Sequence, residues 1–143
     1  MLLKKSFSTQ VNADAVNFWL LISRVVFGIL MIAHGWPKYE NLVAGNVQFA
    51  DPLGIGETAS LVLTVFAEFF CAILLVLGLA TRFATVPLII TMLVAVFLVH
   101  GSDPFGKGEL AVIYLVIFIG FSILGAGKYS LDHFIKRSGN SRL

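Results

Sequence analysis

Four apolar segments, each close to the length of a helix that spans a bilayer, constrain the fold of this chain more than any other feature. They cover residues 18–37, 58–80, 83–101 and 109–126. A helix needs about 20 apolar residues to cross roughly 30 Å of hydrocarbon, where the backbone must satisfy its own hydrogen bonds. The segments therefore predict an all-α integral membrane protein, an antiparallel four-helix bundle with short loops except for a structured first extracytoplasmic loop.

The composition agrees with a membrane protein and argues against other classes. Hydrophobic residues make up 58% of the 143 residues and charged residues 13%. This apolar fraction is larger than a water-soluble domain of this length needs to fill its core. The net charge of +2, without a basic run, gives no reason to expect a nucleic-acid partner. Cys71 is the single cysteine, which excludes a dithiol redox pair within one chain. We therefore expect one transmembrane domain over residues 1–143, in contact with the lipid bilayer.

The basic residues are distributed unequally between the two ends of the predicted helices. Lys38 and Lys107 lie at one end and seven others at the opposite end, which by the positive-inside rule predicts that both termini are cytoplasmic. The N-terminal segment has no apolar run directly after its lysines, so no cleaved signal peptide is predicted. The tail that follows the capping Ser130 predicts one or two amphipathic turns. The seven basic residues are Lys4, Lys5, Arg82, Lys128, Lys136, Arg137 and Arg142.

Two ionisable residues lie inside the predicted spans. A rise of about 1.5 Å per residue, counted from the ends of the spans, places Arg24 and Glu68 within about 6 Å of each other in depth. A lone charge there costs at least roughly 2.5–3.5 kcal/mol, so we predict that the two side chains form a buried pair. The pair is either a structural link or part of a ligand, quinone or proton site. Helical periodicity places it on two inward stripes, Arg24, Gly28, Met31, Gly35 and Lys38 on the first helix and Glu57, Ser60, Thr64, Glu68, Cys71 and Gly78 on the second.

Two histidines, His34 and His100, are predicted at similar depth near the outer edge of the hydrocarbon. Equal depth allows a shared site, although an interfacial hydrogen-bonding role is the alternative for each. Their spacing matches no metal-ligand pattern, so no metal is predicted, and the sequence holds no self-contained catalytic motif. The candidate catalytic residues are Glu68, Arg24 and His34, and the candidate cofactor-binding residues are Arg24, His34, Lys38, Glu68 and His100.

Several segments together resemble the DoxX family of small bacterial membrane proteins. They are "RVVFGILMIAHGWPK", "FAEFFCAILLVLGLATR" with Glu68, "VFLVHG" with His100, and "GAGKYSLD". The resemblance implies a four-helix bundle in the bacterial inner membrane and an association with membrane redox complexes. The family takes its name from a subunit of a thiosulfate:quinone oxidoreductase, and the broader superfamily includes non-enzymatic members. The residues that match the shared pattern are Arg24, Gly28, His34, Gly35, Lys38, Glu68, Gly78, Arg82 and His100.

Three functions stay open on these grounds. The first is a membrane subunit of a quinone-linked oxidoreductase or another membrane redox complex, with quinone as the cofactor and a protein partner that supplies the redox centre. The second is a non-catalytic assembly or scaffold protein. The third is a small transporter, which would require a homo-oligomer because four helices enclose only a narrow pore. Whether the chain is itself an enzyme is left open.

Overall fold

The computed structural model describes residues 10–103 and 106–140, apart from the side chains of residues 139 and 140. Over these ranges the protein is all-helical, which confirms the predicted fold class at that level. Within the described ranges, three helices are long and apolar enough to cross a membrane, and a fourth, of 16 residues, is apolar but shorter. The described ranges contain α1 Ala13–Val43, α2 Glu57–Leu77, α3 Thr81–Val99, α4 Glu109–Leu124 and α5 Leu131–Asn140.

The outer surface of α1 to α4 is covered by large apolar side chains. Soluble proteins rarely expose apolar patches of this extent, whereas lipid is a matching solvent for them. Together with the lengths of the helices, this surface indicates a membrane protein whose helices contact lipid. Examples are Phe18, Trp19 and Leu30 on α1, Phe70 on α2, Phe83 and Phe97 on α3, and Val116 and Ile123 on α4.

The interior is built by four helix–helix contacts. α1 packs against α2, α2 against α3, α3 against α4, and α4 returns to α1. Leu75, Leu88 and Phe118 have no exposed surface in this core. Cys71 is buried in the same cluster, as expected for a lone cysteine that serves in packing.

Two glycines of α1 set its register against α2. A Cβ at Gly35 would lie 2.7 Å from the carbonyl carbon of Glu68, and one at Gly28 would lie 2.5 Å from Cγ2 of Val76. Such approaches are open only to residues without a side chain, and small residues bring membrane helices together in this way. Gly35 is therefore level with Glu68, and Gly28 is level with Val76, near the end of α2.

The prediction that the first helix ends near Pro37 is wrong. α1 runs through Pro37 to Val43, and it begins five residues before the predicted span, where the Asn12 side chain accepts a hydrogen bond from the Asp14 amide at 2.9 Å. A proline removes one intrahelical hydrogen bond, which is too little to end a helix that is packed against a neighbour. Its 31 residues make α1 about 46 Å long, and Lys38 lies on the helix one turn beyond Gly35.

The connection between α2 and α3 is as short as predicted, and residues from the far end of the chain close it. Gly78 turns the backbone with a φ of +68°, a conformation that glycine adopts without strain. The Asp132 carboxylate accepts hydrogen bonds from the amides of Ala80 at 2.7 Å and Thr81 at 3.0 Å. Asp132 thus caps the start of α3 across more than 50 residues of sequence.

The tail forms the amphipathic helix α5, which confirms that prediction and extends it to ten residues. Ser130 acts as the expected cap, because its hydroxyl oxygen accepts a hydrogen bond from the His133 amide at 3.2 Å. Phe134 and Ile135 are exposed on this helix.

Candidate functional site

A cavity of about 320 Å³ lies between α2 and α3, and we call it the α2–α3 cavity. The end of α1 and the first loop, residues 44–56, complete its wall. Apolar side chains form most of the lining, and a small number of polar side chains interrupt it, which is the usual make-up of a small-molecule site. The lining residues are Lys38, Phe49, Ala50, Pro52, Leu53, Ile55, Ser60, Leu63, Thr64, Glu68, Ile90, Thr91, Val94, Ala95, Val99 and His100.

An ion pair between Lys38 Nζ and Glu68 Oε2 is the most polar feature of this wall. The Glu68 side chain is 6% exposed and the Lys38 side chain 29% exposed. The Lys38 ammonium also lies 5.9 Å from the centre of the Phe49 ring. An ion pair removed from water in this way is stable only when both charges are present. The pair therefore brings two opposite charges to the cavity without a net charge.

Both α2 and α3 change to π-helical geometry where they border the cavity. In α2 the π segment is Phe66–Cys71, which contains Glu68, and in α3 it is Ala95–Val99. His100 follows the second segment directly, and its amide donates a hydrogen bond to the Ala95 carbonyl at 2.9 Å. Single π turns within α-helices occur frequently at functional sites because they reposition side chains. Here each π segment sets the position of an ionisable residue in the lining.

The first loop is held over the cavity by Asp51. Its carboxylate accepts hydrogen bonds from the Ser60 hydroxyl at 2.8 Å and from the amides of Gly56 at 2.7 Å and Ile55 at 3.0 Å. The Ser60 hydroxyl, followed by the backbone amides, lowers the pKa of Asp51 because each stabilises the carboxylate form. These bonds attach the loop to the first turn of α2, so its apolar residues form a fixed wall.

Arg24 does not belong to this site, and the predicted pair of Arg24 with Glu68 is wrong. The Arg24 side chain donates to the carbonyls of Leu75 at 3.0 Å, Val76 at 2.7 Å and Tyr129 at 2.7 Å. The residue is 1% exposed. The prediction measured the depth of each residue from the end of its apolar segment. It did not include the register of α1 against α2, which the contacts of Gly28 and Gly35 set. Leu75 is seven residues from Glu68, which separates the two positions by about 10 Å along α2.

The two histidines are not brought together as the sequence suggested. His100 lines the α2–α3 cavity, whereas His34 is absent from that lining. The His34 ring instead meets the edge of Tyr114 on α4, with ring centres 5.9 Å apart. The structure thus places three of the five candidate cofactor-binding residues in one cavity, namely Lys38, Glu68 and His100.

Sequence reasoning missed two parts of the site. It gave no role to Thr91 of α3, and none to the first-loop residue Phe49, since the fold of a loop is not readable from apolar periodicity. It also paired Glu68 with the wrong cation, although a signal was available. Lys38 follows Gly35 by one turn on the same predicted stripe, and a glycine on such a stripe marks close approach to a neighbouring helix.

Comparisons with known proteins identify the family of this chain. The DoxX family model matches residues 19–101. A protein of Bacillus subtilis (strain 168) named "Putative oxidoreductase CatD" is 30% identical over 124 residues, which cover 84% of this chain and 91% of the relative. An uncharacterized protein of Haemophilus influenzae (strain ATCC 51907 / DSM 11121 / KW20 / Rd) is 32% identical over 127 residues, which cover 81% and 90%. No solved structure matches the chain. The family match spans more than half of the sequence, and the chain therefore belongs to the DoxX family.

Proposed function

We propose that this protein is a membrane subunit of a quinone-linked oxidoreductase and that the α2–α3 cavity binds the quinone headgroup. The family and the name of the Bacillus subtilis relative support a link to oxidoreductase activity. The observation that carries the proposal is the ion pair of Lys38 and Glu68 in the wall of a mostly apolar cavity. Ionisable groups inside a membrane are costly and mark functional sites by default.

The chemistry of the lining suits a quinone ring. A cavity of about 320 Å³ accepts a small headgroup, and its apolar walls match the faces of the ring. Quinone carbonyls need hydrogen-bond donors, which Lys38 Nζ and the His100 imidazole can supply. Glu68 accepts a hydrogen bond from Lys38 Nζ, and its carboxylate balances the charge of the lysine in surroundings that disfavour an isolated charge. Thr64 and Thr91 add hydroxyl groups to the lining.

Reduction of a quinone to a quinol requires two electrons and two protons. We assign the electrons to a redox centre on a protein partner, because the sequence has no dithiol and no recognisable ligand motif for such a centre. This chain would bind and orient the ring, and His100 and the Lys38–Glu68 pair would exchange protons with its oxygens. An intramembrane carboxylate and an imidazole are both suited to proton transfer.

The proposal includes the arrangement in the membrane. α1 to α4 form an antiparallel four-helix bundle in the bacterial inner membrane, with both termini in the cytoplasm as the basic residues predict. The α2–α3 cavity then lies in the outer half of the bilayer, and the first loop covers it on the extracytoplasmic side. The end that contains Arg24 lies toward the cytoplasm.

Binding of a quinone to paired charge-removal variants tests the proposal. The variant Lys38→Met/Glu68→Leu removes both charges together, which avoids leaving one buried charge without its partner. The matched control is Lys128→Met/Asp14→Leu, since Lys128 and Asp14 form an exposed ion pair outside the cavity with a distance of 3.1 Å. Full-length proteins in nanodiscs are incubated with a radiolabelled benzoquinone that has no long tail. We expect binding at least tenfold weaker in the first variant and within twofold of wild type in the control.

The same experiment separates this function from a scaffold role. The ion pair also joins α1 to α2, so a scaffold that needs only this link is the second candidate. If the charge-free variant folds and binds quinone as wild type does, the pair has no part in a quinone site. If wild type binds no more quinone than protein-free nanodiscs, the proposed function is overturned.

A further inference from the structure

The α2–α3 cavity is bounded by the first loop on one side and by apolar side chains of the two helices on another. Toward the start of α2 and the end of α3 it is covered by the first loop, in which Asp51 accepts a hydrogen bond from Ser60. Along its side it is bounded by Leu63 of α2 and Ile90 of α3. These two residues line the cavity and are 55% and 54% exposed. The cavity therefore opens sideways, between α2 and α3.

The side opening is at membrane depth. Leu63 lies six residues inside the start of α2, about 9 Å along its axis, and Ile90 lies nine residues inside the end of α3, about 14 Å along its axis. Both values fall within a hydrocarbon layer about 30 Å thick. Apolar residues that face outward border the opening on each helix, such as Phe66 on α2 and Leu93 on α3. Lipid, and not water, is thus the medium outside the opening.

We infer that the substrate is a quinone with a long apolar tail that enters from the bilayer between Leu63 and Ile90, with its tail remaining in this opening. The inference rests on the proposed function, because the headgroup site is the same cavity. The quinone ring reaches Glu68 and Lys38 inside the cavity, while the tail passes between Leu63 and Ile90 into lipid. A water-soluble quinone would lack the part of the molecule that this opening accommodates.

Tryptophan substitutions at the opening test the inference. Leu63→Trp and Ile90→Trp place bulk where the tail would lie. The controls are Val62→Trp and Val86→Trp, at exposed apolar positions on the same two helices that do not line the cavity. Each full-length protein in nanodiscs is tested with two radiolabelled quinones that share a headgroup, one without a tail and one with a decyl tail. Each affinity is compared with that of wild type for the same ligand, which removes the effect of partition into lipid.

We expect the opening variants to bind the decyl quinone at least tenfold more weakly and the tail-less quinone within twofold of wild type. The control variants should bind both ligands within twofold. Equal losses for the two ligands, or equal losses in the opening and control variants, overturn the inference and leave the headgroup site standing. Absence of binding of both ligands to wild type overturns the proposed function and this inference together.

A photoreactive group at the end of the decyl tail gives an independent measurement. After illumination and proteolysis, we expect labelled peptides that contain Leu63 or Ile90. Labels confined to the first-loop residues, such as Phe49 or Leu53, would show access through the loop and would contradict the side opening. The result does not depend on how the tryptophan variants fold.

Discussion

Arg24 and Lys38 lie 14 residues apart on the α2-facing side of α1, and each is held by α2 through different atoms. Arg24 donates to backbone carbonyls at the end of α2 and to the carbonyl of Tyr129. Lys38 forms an ion pair with the Glu68 side chain beside the α2–α3 cavity. One helix thus carries a cation enclosed by backbone at one end and a cation at the wall of a cavity at the other.

The difference between the contacts of Arg24 and Lys38 indicates how to interpret a charge inside a membrane helix. The carbonyls at the end of a helix have no intrahelical partners and carry a partial negative charge, so a guanidinium beside them completes the helix. Such a cation is explained by structure alone. A lysine paired with a carboxylate in a cavity wall is not needed to complete any backbone, so it remains available to a ligand. The contacts of the charge, and not its depth, separate the two roles.

The largest expected effect is at the enclosed cation. Arg24→Met removes three hydrogen bonds to the carbonyls of Leu75, Val76 and Tyr129, and we expect a loss of roughly 3 kcal/mol or more in the free energy of unfolding. Denaturant titration of the protein in mild detergent measures this loss. The control is Arg82→Met, because Arg82 makes an exposed hydrogen bond to the Ile123 carbonyl at 3.2 Å, and its loss should cost under about 1 kcal/mol. Equal stability of the two variants would contradict the structural role of Arg24.

A smaller effect is expected where the two helices touch at the level of the cavity. A Cβ at Gly35 would meet the Glu68 backbone at 2.7 and 2.8 Å, which cannot give way as a side chain can. We expect Gly35→Ala to destabilise the protein by about 1–3 kcal/mol and to weaken quinone binding, because it displaces Glu68. Gly120→Ala is the matched control, since a Cβ at Gly120 meets nothing within 4 Å. Thermal unfolding and quinone binding are measured on both variants, and a Gly35→Ala protein that unfolds and binds as wild type does would contradict the close contact at Gly35.

The smallest effect concerns the loop over the cavity. Hydrogen bonds from the Ser60 hydroxyl and the nearby amides lower the pKa of Asp51 in the folded protein. A lowered pKa means that the stabilisation is present above the unfolded value of about 3.9 and is lost as the pH falls through the folded value. Hydrogen-exchange protection of the Ile55 and Gly56 amides should therefore decrease as the pH is lowered from about 3.9, and it should be constant at higher pH. In Asp51→Asn this pH dependence should be absent, and a flat profile in wild type would refute the anchor.

The sequence predicted the parts of the fold that depend on the length of apolar segments. The all-α class, the short α2–α3 connection and the amphipathic tail were all readable, because span length, turn residues and a capping serine act locally. The end of α1 was not readable, because Pro37 is a strong local signal that packing overrides. The inner face of α1 was also correctly identified, since Arg24, Gly28, Met31 and Gly35 are all buried.

The site was only partly predictable, because side-chain pairing depends on how two helices slide along each other. Lys38, Glu68 and His100 were candidates, and the structure brings all three to one cavity. Arg24 and His34 were candidates of equal standing, and they contact a helix end and Tyr114 instead. The register that separates these two groups comes from glycine contacts across helices. The π segments that position Glu68 and His100 carry no sequence signal that we recognised.

The cap on α3 has a consequence for the order in which this protein assembles. Tyr129 and Asp132 bind Arg24 and the amides of Ala80 and Thr81, yet a ribosome makes them long after the residues that they complete. The first three helices therefore lack the hydrogen bonds of Tyr129 and Asp132 at this end until the last part of the chain has been synthesised. Release of the nascent chain before that point leaves the Arg24 guanidinium without one of its acceptors, the Tyr129 carbonyl.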